Sequence, residues 1–321
     1  MKVGIIGVGN IGLELRGKLG LLDWDVEFVL KSDGVYKNEQ KIDVLENYLS
    51  YCESVDVVFL AIPTSDDGKV ASDYIYNIVN KNIPVVTCEK GALSNYYSRL
   101  EPYLDKIGYS ASVGGGTRLL NYAETMMSED VTSMHLIVNG TLNYIFEQMS
   151  KDESIGEAVK NAQRLGYVEP GATDILDIIN GEACSDVPMK ISILHNVCGL
   201  GKPIKAKDIK VKKISKIELE QLIDEAHLRR YVVSFRKNFL EEDGVIGGFV
   251  YKAGEWNICA GFKDISKNKI YMQLKSSEVN NAILITKGVY NADGIYKLKG
   301  PGAGAGPTTS SMIKDAMTFF K

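Results

Sequence analysis

At 321 residues the chain is long for one compact unit, and its length points to about two domains. An apolar fraction of 45% with modest charge is ordinary for a globular chain with a sizeable core. A formal net charge of −4 argues against a nucleic-acid or anionic-membrane surface, since those partners need a concentrated basic field.

The chain opens with MKVGIIGVGNIGLELRGKLG. A short apolar strand, Val3 to Ile6, runs into Gly7-x-Gly9-x-x-Gly12, and a helical pattern follows through Ile11, Leu13, Leu15 and Leu19. Between a strand and a helix, the first glycine allows a tight turn, the second lets a pyrophosphate approach the backbone, and the third lets the helix pack on the strand. Phosphate then sits on the exposed N–H groups of Asn10, Ile11 and Gly12, at the positive end of the helix. A second strand, VEFVL at 26–30, ends in Lys31-Ser32-Asp33. An acid near this point binds the ribose hydroxyls of NAD, whereas a base pairs with the 2′-phosphate of NADP. Lys31 and Asp33 pull in opposite directions, and the preference stays open.

Two near-continuous apolar strands follow, VDVVFLAIP at 55–63 and IPVVTCEKG at 83–91, as expected for a parallel sheet covered on both faces. Ligands of such sheets bind beyond the carboxyl ends of the strands, which places Thr64 and Glu89-Lys90 at the expected crevice. A solvated loop lysine is the competing reading of Lys90. YSASVGGGTRLL at 109–120 reads as a further strand feeding a glycine-rich turn, whose carbonyls could ligate a cation or simply make the turn.

From about residue 131 the pattern changes. MHLIVNGTLNYIFEQM reads as a strand, a turn at Asn139-Gly140 and a helix that Thr141 could cap. EAVKNAQRLGY reads as a helix ending at Gly166. An acidic stretch follows, GYVEPGATDILDIINGEACSDVPMKISIL at 166–194. There Ser185 is a plausible N-cap, and Pro188 is tolerated only in a first helical turn. Asp186 and Lys190 are then neighbours on one helix face. As an exposed pair they would be worth only ~0.3–0.5 kcal/mol. Lys190, however, enters the apolar run ISIL and sits near a positive helix end, which favours a partly buried lysine able to act as an acid.

The lysine-rich patch at 202–216 has no interleaved aromatic residues and reads as a solvated connector or helix start. Residues 246–298 alternate in a β-rich pattern, with segments such as KIYMQL and NAILIT. A glycine run and a final helix, GPGAGAGPTTSSMIKDAM, complete the pattern. No apolar run reaches the ~18–20 residues of a membrane span. Five scattered cysteines, at 52, 88, 184, 198 and 259, lack metal-ligand spacing and fit reduced thiols, so a cytoplasmic protein is expected.

Taken together, GVGNIG, VVTCEKG, NGTLNYI, GYVEP…DVPMK and GPGAGAGPTTSSMIKD resemble homoserine dehydrogenase, in that order and over nearly the whole chain. The resemblance implies an α/β fold: a Rossmann-type dinucleotide-binding domain at 1–130, completed by the C-terminal helix at 307–321. It also implies a central α+β substrate and dimerisation domain with a mixed β-sheet at 131–306. It implies reversible NAD(P)H-dependent reduction of L-aspartate 4-semialdehyde to L-homoserine, on the route to threonine and methionine, by a homodimer. Lys190 matches the family's proton donor, Asp186 the aspartate one turn before it, and Glu169 the substrate-binding glutamate. Lys90 matches a lysine at the nicotinamide side, with Glu89 in place of the usual asparagine. Gly140 and Thr141 match the loop that contacts nicotinamide and substrate, and Gly306 belongs to the nucleotide set. Backbone around Val113, Gly115 and Thr117 matches a loop for a monovalent cation, Na⁺ or K⁺, but Ser110 stands where a glutamate is usual. The spacing from Glu169 to Lys190 is longer than the common pattern, so the family's middle aspartate is either Asp174 or Asp177. The regulatory domain of some relatives has no counterpart after the last helix, and feedback through such a domain is not expected.

Three competing readings are weighed. A phosphorylating dehydrogenase of the same semialdehyde would need a nucleophilic cysteine, for which Cys88 has no evident histidine partner. A non-catalytic NAD(P)-sensing protein would not need an acid beside the nicotinamide. A dehydrogenase of a related small amino acid is the third.

Overall fold

The computed structural model describes residues 1–168, 174–238, 244–246, 249–251, 255–288 and 291–320. Their contacts divide the chain into two units, Met1–Arg118 with Gly304–Lys321, and Leu119–Ala303.

In the first unit, β1 (Lys2–Ile6) passes through the glycine turn into α1 (Asn10–Leu21) and returns as β2 (Asp25–Lys31). β3 (Gly34–Lys37) and β4 (Gln40–Asp43) follow directly, then α2 (Tyr48–Cys52), β5 (Val57–Leu60), α3 (Lys69–Val79) and β6 (Val85–Thr87). Short helices α4 (Gly91–Asn95) and α5 (Tyr97–Leu100) lead to β7 (Ile107–Gly108). The sheet order is β4-β3-β2-β1-β5-β6-β7. β1 pairs in parallel with β2 and β5, and β5-β6-β7 continue parallel, whereas β2-β3-β4 are antiparallel. The parallel part follows from apolar strands separated by helical crossovers. The antiparallel part arises because only Ser32 and Asp33 separate β2 from β3, too few residues for a crossover. The expected strand at 109–120 is instead two 3₁₀ turns, Ser110–Ser112 and Gly115–Thr117, because Gly114 and Gly115 adopt φ of 87° and 48°. Val3, Ile5, Leu15, Leu19, Phe59 and Val86 share one core with Met312 and Ala316 of the C-terminal helix.

The second unit starts earlier than the expected boundary at 130/131, because α6 (Leu119–Met126) packs on strands and a helix of this unit. β8 (Val131–Ile137), α7 (Gly140–Met149), α8 (Ile155–Arg164), α9 (Ile175–Gly181), a π-helical segment (Glu182–Asp186), α10 (Val187–Val197) and α11 (Lys216–Asp224) follow. Then come β9 (Arg229–Lys237), the antiparallel pair β10 (Gly244–Ile246) and β11 (Phe249–Tyr251), β12 (Trp256–Asp264), α12 (Lys269–Met272), β13 (Asn280–Lys287) and β14 (Gly294–Pro301). The five-stranded sheet runs β12-β9-β8-β13-β14 with every neighbouring pair antiparallel. The mixed sheet expected here therefore belongs to the first unit. KIYMQL is also not a strand: Asn268 accepts hydrogen bonds from the Ile270 and Tyr271 amides and starts α12. The last helix, α13 (Ala305–Thr318), returns to the first unit. Among the described residues, no helix is long and apolar enough to cross a membrane.

Within the second unit's sheet, the His135 ring is 2% exposed and bonded to the Ser133 hydroxyl at 3.0 Å and the Ser234 hydroxyl at 2.9 Å. Burial, with Arg236 adding repulsion, pushes its pKa down from 6.5 to about 4. A ring whose folded value is depressed stabilises the fold above pH 6.5, and that contribution is lost as pH falls toward the folded value. Acidification through this window is expected to remove about 3 kcal/mol of stability. Urea unfolding at stepped pH should show that slope in the parent and a flatter one in His135→Gln; equal slopes would refute the assignment.

Candidate active site

In the first unit the turn after β1 is built by sterics. Gly7 has φ of +101°, donates its N–H to the Leu30 carbonyl at 3.1 Å, and would drive a Cβ into the Ala61 carbonyl. A Cβ at Gly12 would strike the Gly7 carbonyl. Gly9 differs, since a Cβ there meets nothing within 4 Å. Gly9 is also the N-cap of α1 and provides no side-chain acceptor, so the first-turn amides at Asn10, Ile11 and Gly12 have no side-chain cap. Open space at the middle glycine beside an uncapped helix start fits a dinucleotide pyrophosphate.

Around this turn, Lys31 closes β2 and pairs with Glu39 at 3.3 Å. Lys18 donates to the Gly306 carbonyl and, at 2.8 Å, to the Ser310 hydroxyl, fastening the start of α13 to α1. Beyond β6, the carboxylate of Glu89 is 3% exposed. It accepts the Gly91 amide at 2.6 Å, the Ala92 amide at 2.8 Å and the Thr64 hydroxyl. Glu89 thus works as a cap for α4, and through Thr64 it ties together the two loops that the sequence places at the crevice. Lys90, half-buried, is the backbone N-cap of the same helix.

The cysteine beside it has its thiolate disfavoured. Burial pushes the Cys88 thiol up to about 11, leaving it protonated near neutrality. The turns at 110–117 have part of their carbonyl set engaged within the fold. The Gly115 carbonyl accepts from the Ser311 hydroxyl at 2.9 Å, and the Thr117 amide donates to Gly114 at 2.8 Å. Val113 is fully buried. Ser110 spends its hydroxyl and amide on Asp315, whose charge is answered by Arg118 at 3.2 Å. Burial raises the Asp315 carboxyl above its ordinary range against those bonds.

In the second unit, α9, the π-helical segment and α10 form one continuous helical run from Ile175 to Val197. Ser185 is therefore not an N-cap; its hydroxyl donates back to the Gly181 carbonyl at 2.7 Å. The wider π turn accommodates Pro188, which would otherwise clash with the carbonyl one turn earlier and remove a bond of the ladder. Lys190 accordingly does not lie at a helix start, and the helix-end argument for its acidity fails. Its surroundings are more specific. Lys190 is 7% exposed and donates to Asp186 at 2.7 Å and to the Val138 carbonyl at 2.7 Å.

Asn139, rather than Thr141, caps α7, accepting the Leu142 amide at 2.8 Å. The Asn139 amide nitrogen donates to Glu182 at 2.6 Å and to Asp186 at 2.9 Å. Glu182, Asp186 and Lys190 thus converge on the corner between β8 and α7. Gly140 permits that corner, because a Cβ there would stand 2.7 Å from the Val279 carbonyl oxygen. Thr141 turns aside to donate to the Tyr167 carbonyl at 2.8 Å. Asp174 caps α9 by accepting the Asp177 amide at 2.9 Å, and both of these acids are exposed. Glu169 lies outside the described residues. Sequence reasoning missed Asn139 and Glu182. An asparagine preceding a Gly-Thr helix start is a capping signal that could have exposed the first; the four-residue interval from Glu182 to Asp186 could have exposed the second, had the helix been extended back through it.

A nucleotide-type glycine turn on a mostly parallel sheet, with a buried lysine–carboxylate corner in a separate antiparallel unit, defines a two-unit α/β protein of the Rossmann class. The chain belongs to the homoserine dehydrogenase family: the model described as homoserine dehydrogenase matches residues 119–317, most of the chain. It is similar to homoserine dehydrogenase from Bacillus subtilis, 29% identical over 83% of this chain and 57% of the relative. It is also similar to the enzyme from Methanocaldococcus jannaschii, 36% identical over 52% of this chain and 50% of the relative. The matched stretches thus span about half the length of these curated relatives. Among solved structures, a homoserine dehydrogenase from Thiobacillus denitrificans superposes with a TM-score of 0.71 at 20% identity, covering 98% of this chain and 72% of that one. A hyperthermophilic archaeal homoserine dehydrogenase in complex with NADPH gives 0.69 at 19% identity, covering 99% and 96%. At these identities the structural likeness is one of fold.

Proposed function

We propose that the chain catalyses the reversible reduction of L-aspartate 4-semialdehyde to L-homoserine with NAD(P)H, in the cytoplasm and as a homodimer. The observation that carries this reading is the buried Lys190 ammonium, held between Asp186 and the Val138 carbonyl in a member of this family. The archaeal relative bound to NADPH supports the cofactor.

When bound, the reduced nicotinamide supplies a hydride to the aldehyde carbon. Gly7, Gly9 and Gly12, with the amides of Asn10 and Ile11, bind the pyrophosphate; Lys31, Thr64, Lys90 and Gly306 complete the nucleotide set, and Lys90 orients its nicotinamide end. Lys190 meets the charge that develops on the aldehyde oxygen and delivers the proton, serving as electrostatic partner and general acid in one side chain. Asp186 aims the ammonium, and Asn139 fixes Asp186 in turn. The substrate's own ammonium group needs carboxylate acceptors. Glu169 is assigned to it with Asp174 as second acceptor, and Gly140 and Thr141 shape the corner where it sits.

The test is direct. The protein is mixed with L-aspartate 4-semialdehyde and NADH or NADPH, and the reduced-nicotinamide absorbance is followed. Loss of absorbance with formation of homoserine is expected; a stable signal with both nucleotides, despite measurable nucleotide binding, would favour the sensing protein instead.

A further inference from the structure

The conflict between Lys31 and Asp33 is resolved by a third residue. In sheets of this type the end of β2 faces the 2′ position of the adenosine ribose. Lys31 is the last residue of that strand, and with Arg16 on α1, Tyr36 and Glu39 it lines a cavity of about 400 Å³ that runs along β2 from Asp25. Two cations gathered near that strand end would ordinarily invite the dianionic 2′-phosphate of NADP.

Here they are already engaged. β3 and β4 form a hairpin whose connection is Asn38-Glu39, with φ of 49° and 63°. Asparagine tolerates this left-handed region, whereas a glutamate seldom adopts it. The strained turn carries the Glu39 carboxylate onto both cations: it pairs with Arg16 and, at 3.3 Å, with Lys31. Lys31 also stands 4.1 Å from the centre of the Tyr36 ring. The Tyr36 hydroxyl donates to Asp33 at 2.7 Å, and Lys41 lies 3.7 Å from the same carboxylate. A 2′-phosphate would have to displace Glu39 and would meet its charge; a 2′-hydroxyl finds an acceptor there instead.

We propose that Glu39 makes this chain select NAD(H) over NADP(H), by occupying Arg16 and Lys31 from the β3–β4 turn. The inference rests on the nucleotide-binding reading of the glycine turn, and its test separates the two. NADH and NADPH are titrated separately into the purified protein, with nicotinamide fluorescence as readout and no substrate present. The parent should bind NADH more tightly by ~10-fold, the ratio that one charge-assisted contact supplies. Glu39→Gln, which keeps the side-chain length, should raise NADPH affinity and narrow that ratio. Glu39→Gly, which also relieves the turn, should move it the same way and keeps the test valid if the glutamine variant does not fold. Equal binding of both nucleotides by the parent, or an unchanged ratio in folded variants, would overturn the role of Glu39 alone. Binding of neither would overturn the nucleotide reading and this inference with it.

Discussion

Replacing Lys190 with alanine is expected to lower turnover by roughly 10³-fold or more, because in the proposed reaction one side chain supplies both the proton and the compensating charge. Nucleotide affinity, measured without substrate, should change little, since the groups assigned to the pyrophosphate lie on the glycine turn of the other unit. The variant should also fold. Asp186 keeps the Asn139 amide as a donor at 2.9 Å once the ammonium is gone, so its charge is not left without a hydrogen bond. Steady-state rates beside a nucleotide titration and an unfolding curve test all three statements. Lys190→Arg sharpens the result: it keeps a cation, but a planar fork cannot reproduce a point ammonium bonded to one carboxylate and one carbonyl. If the alanine variant retains most of its turnover, Lys190 is a structural lysine and the mechanism is wrong.

What the sequence revealed and what it concealed divide along physical lines. The glycine turn was legible because its demands are local: a positive φ at Gly7, contact between Gly7 and Gly12, and open space at Gly9 are all set within one strand–turn–helix step. The Asp186–Lys190 pair was legible because a four-residue interval puts two side chains on one face whether or not the helix begins there. The helix start itself was misread. A proline after a serine and an aspartate is a common start signal, but a π turn inside a longer helix gives Pro188 another place to sit. The same helical run carries Glu182 to the Asn139 amide beside Asp186. Contacts from remote strands were hidden for a different reason. Val138 and Asn139 reach Lys190 and Asp186 across about fifty residues, a pairing only the fold creates. The β3–β4 hairpin was missed because its strands are short and its turn carries Asn-Glu, where glycine would ordinarily mark such a turn.

The remaining large effect concerns stability rather than rate. Asp186→Ala is expected to destabilise the protein by about 3–5 kcal/mol, because it strips the carboxylate from an ammonium that has little water to replace it. Lys190 is only 7% exposed, so this pair stands apart from surface pairs such as Lys69–Asp73. The same substitution removes one of the two acceptors of the Asn139 amide and loosens the corner where α7 starts. Two contributions are thus mixed in one number, and a double variant separates them. Asp186→Ala combined with Lys190→Met removes the stranded charge and fills its space with apolar atoms, so most of the lost stability should return while turnover stays abolished. Urea unfolding of the parent, the single variant and the double variant measures each step. Recovery in the double variant identifies the uncompensated ammonium as the dominant cost. A double variant no more stable than Asp186→Ala alone would place that cost in the Asn139 corner, and Asp186 would then hold the fold of the β8–α7 turn rather than the charge of Lys190.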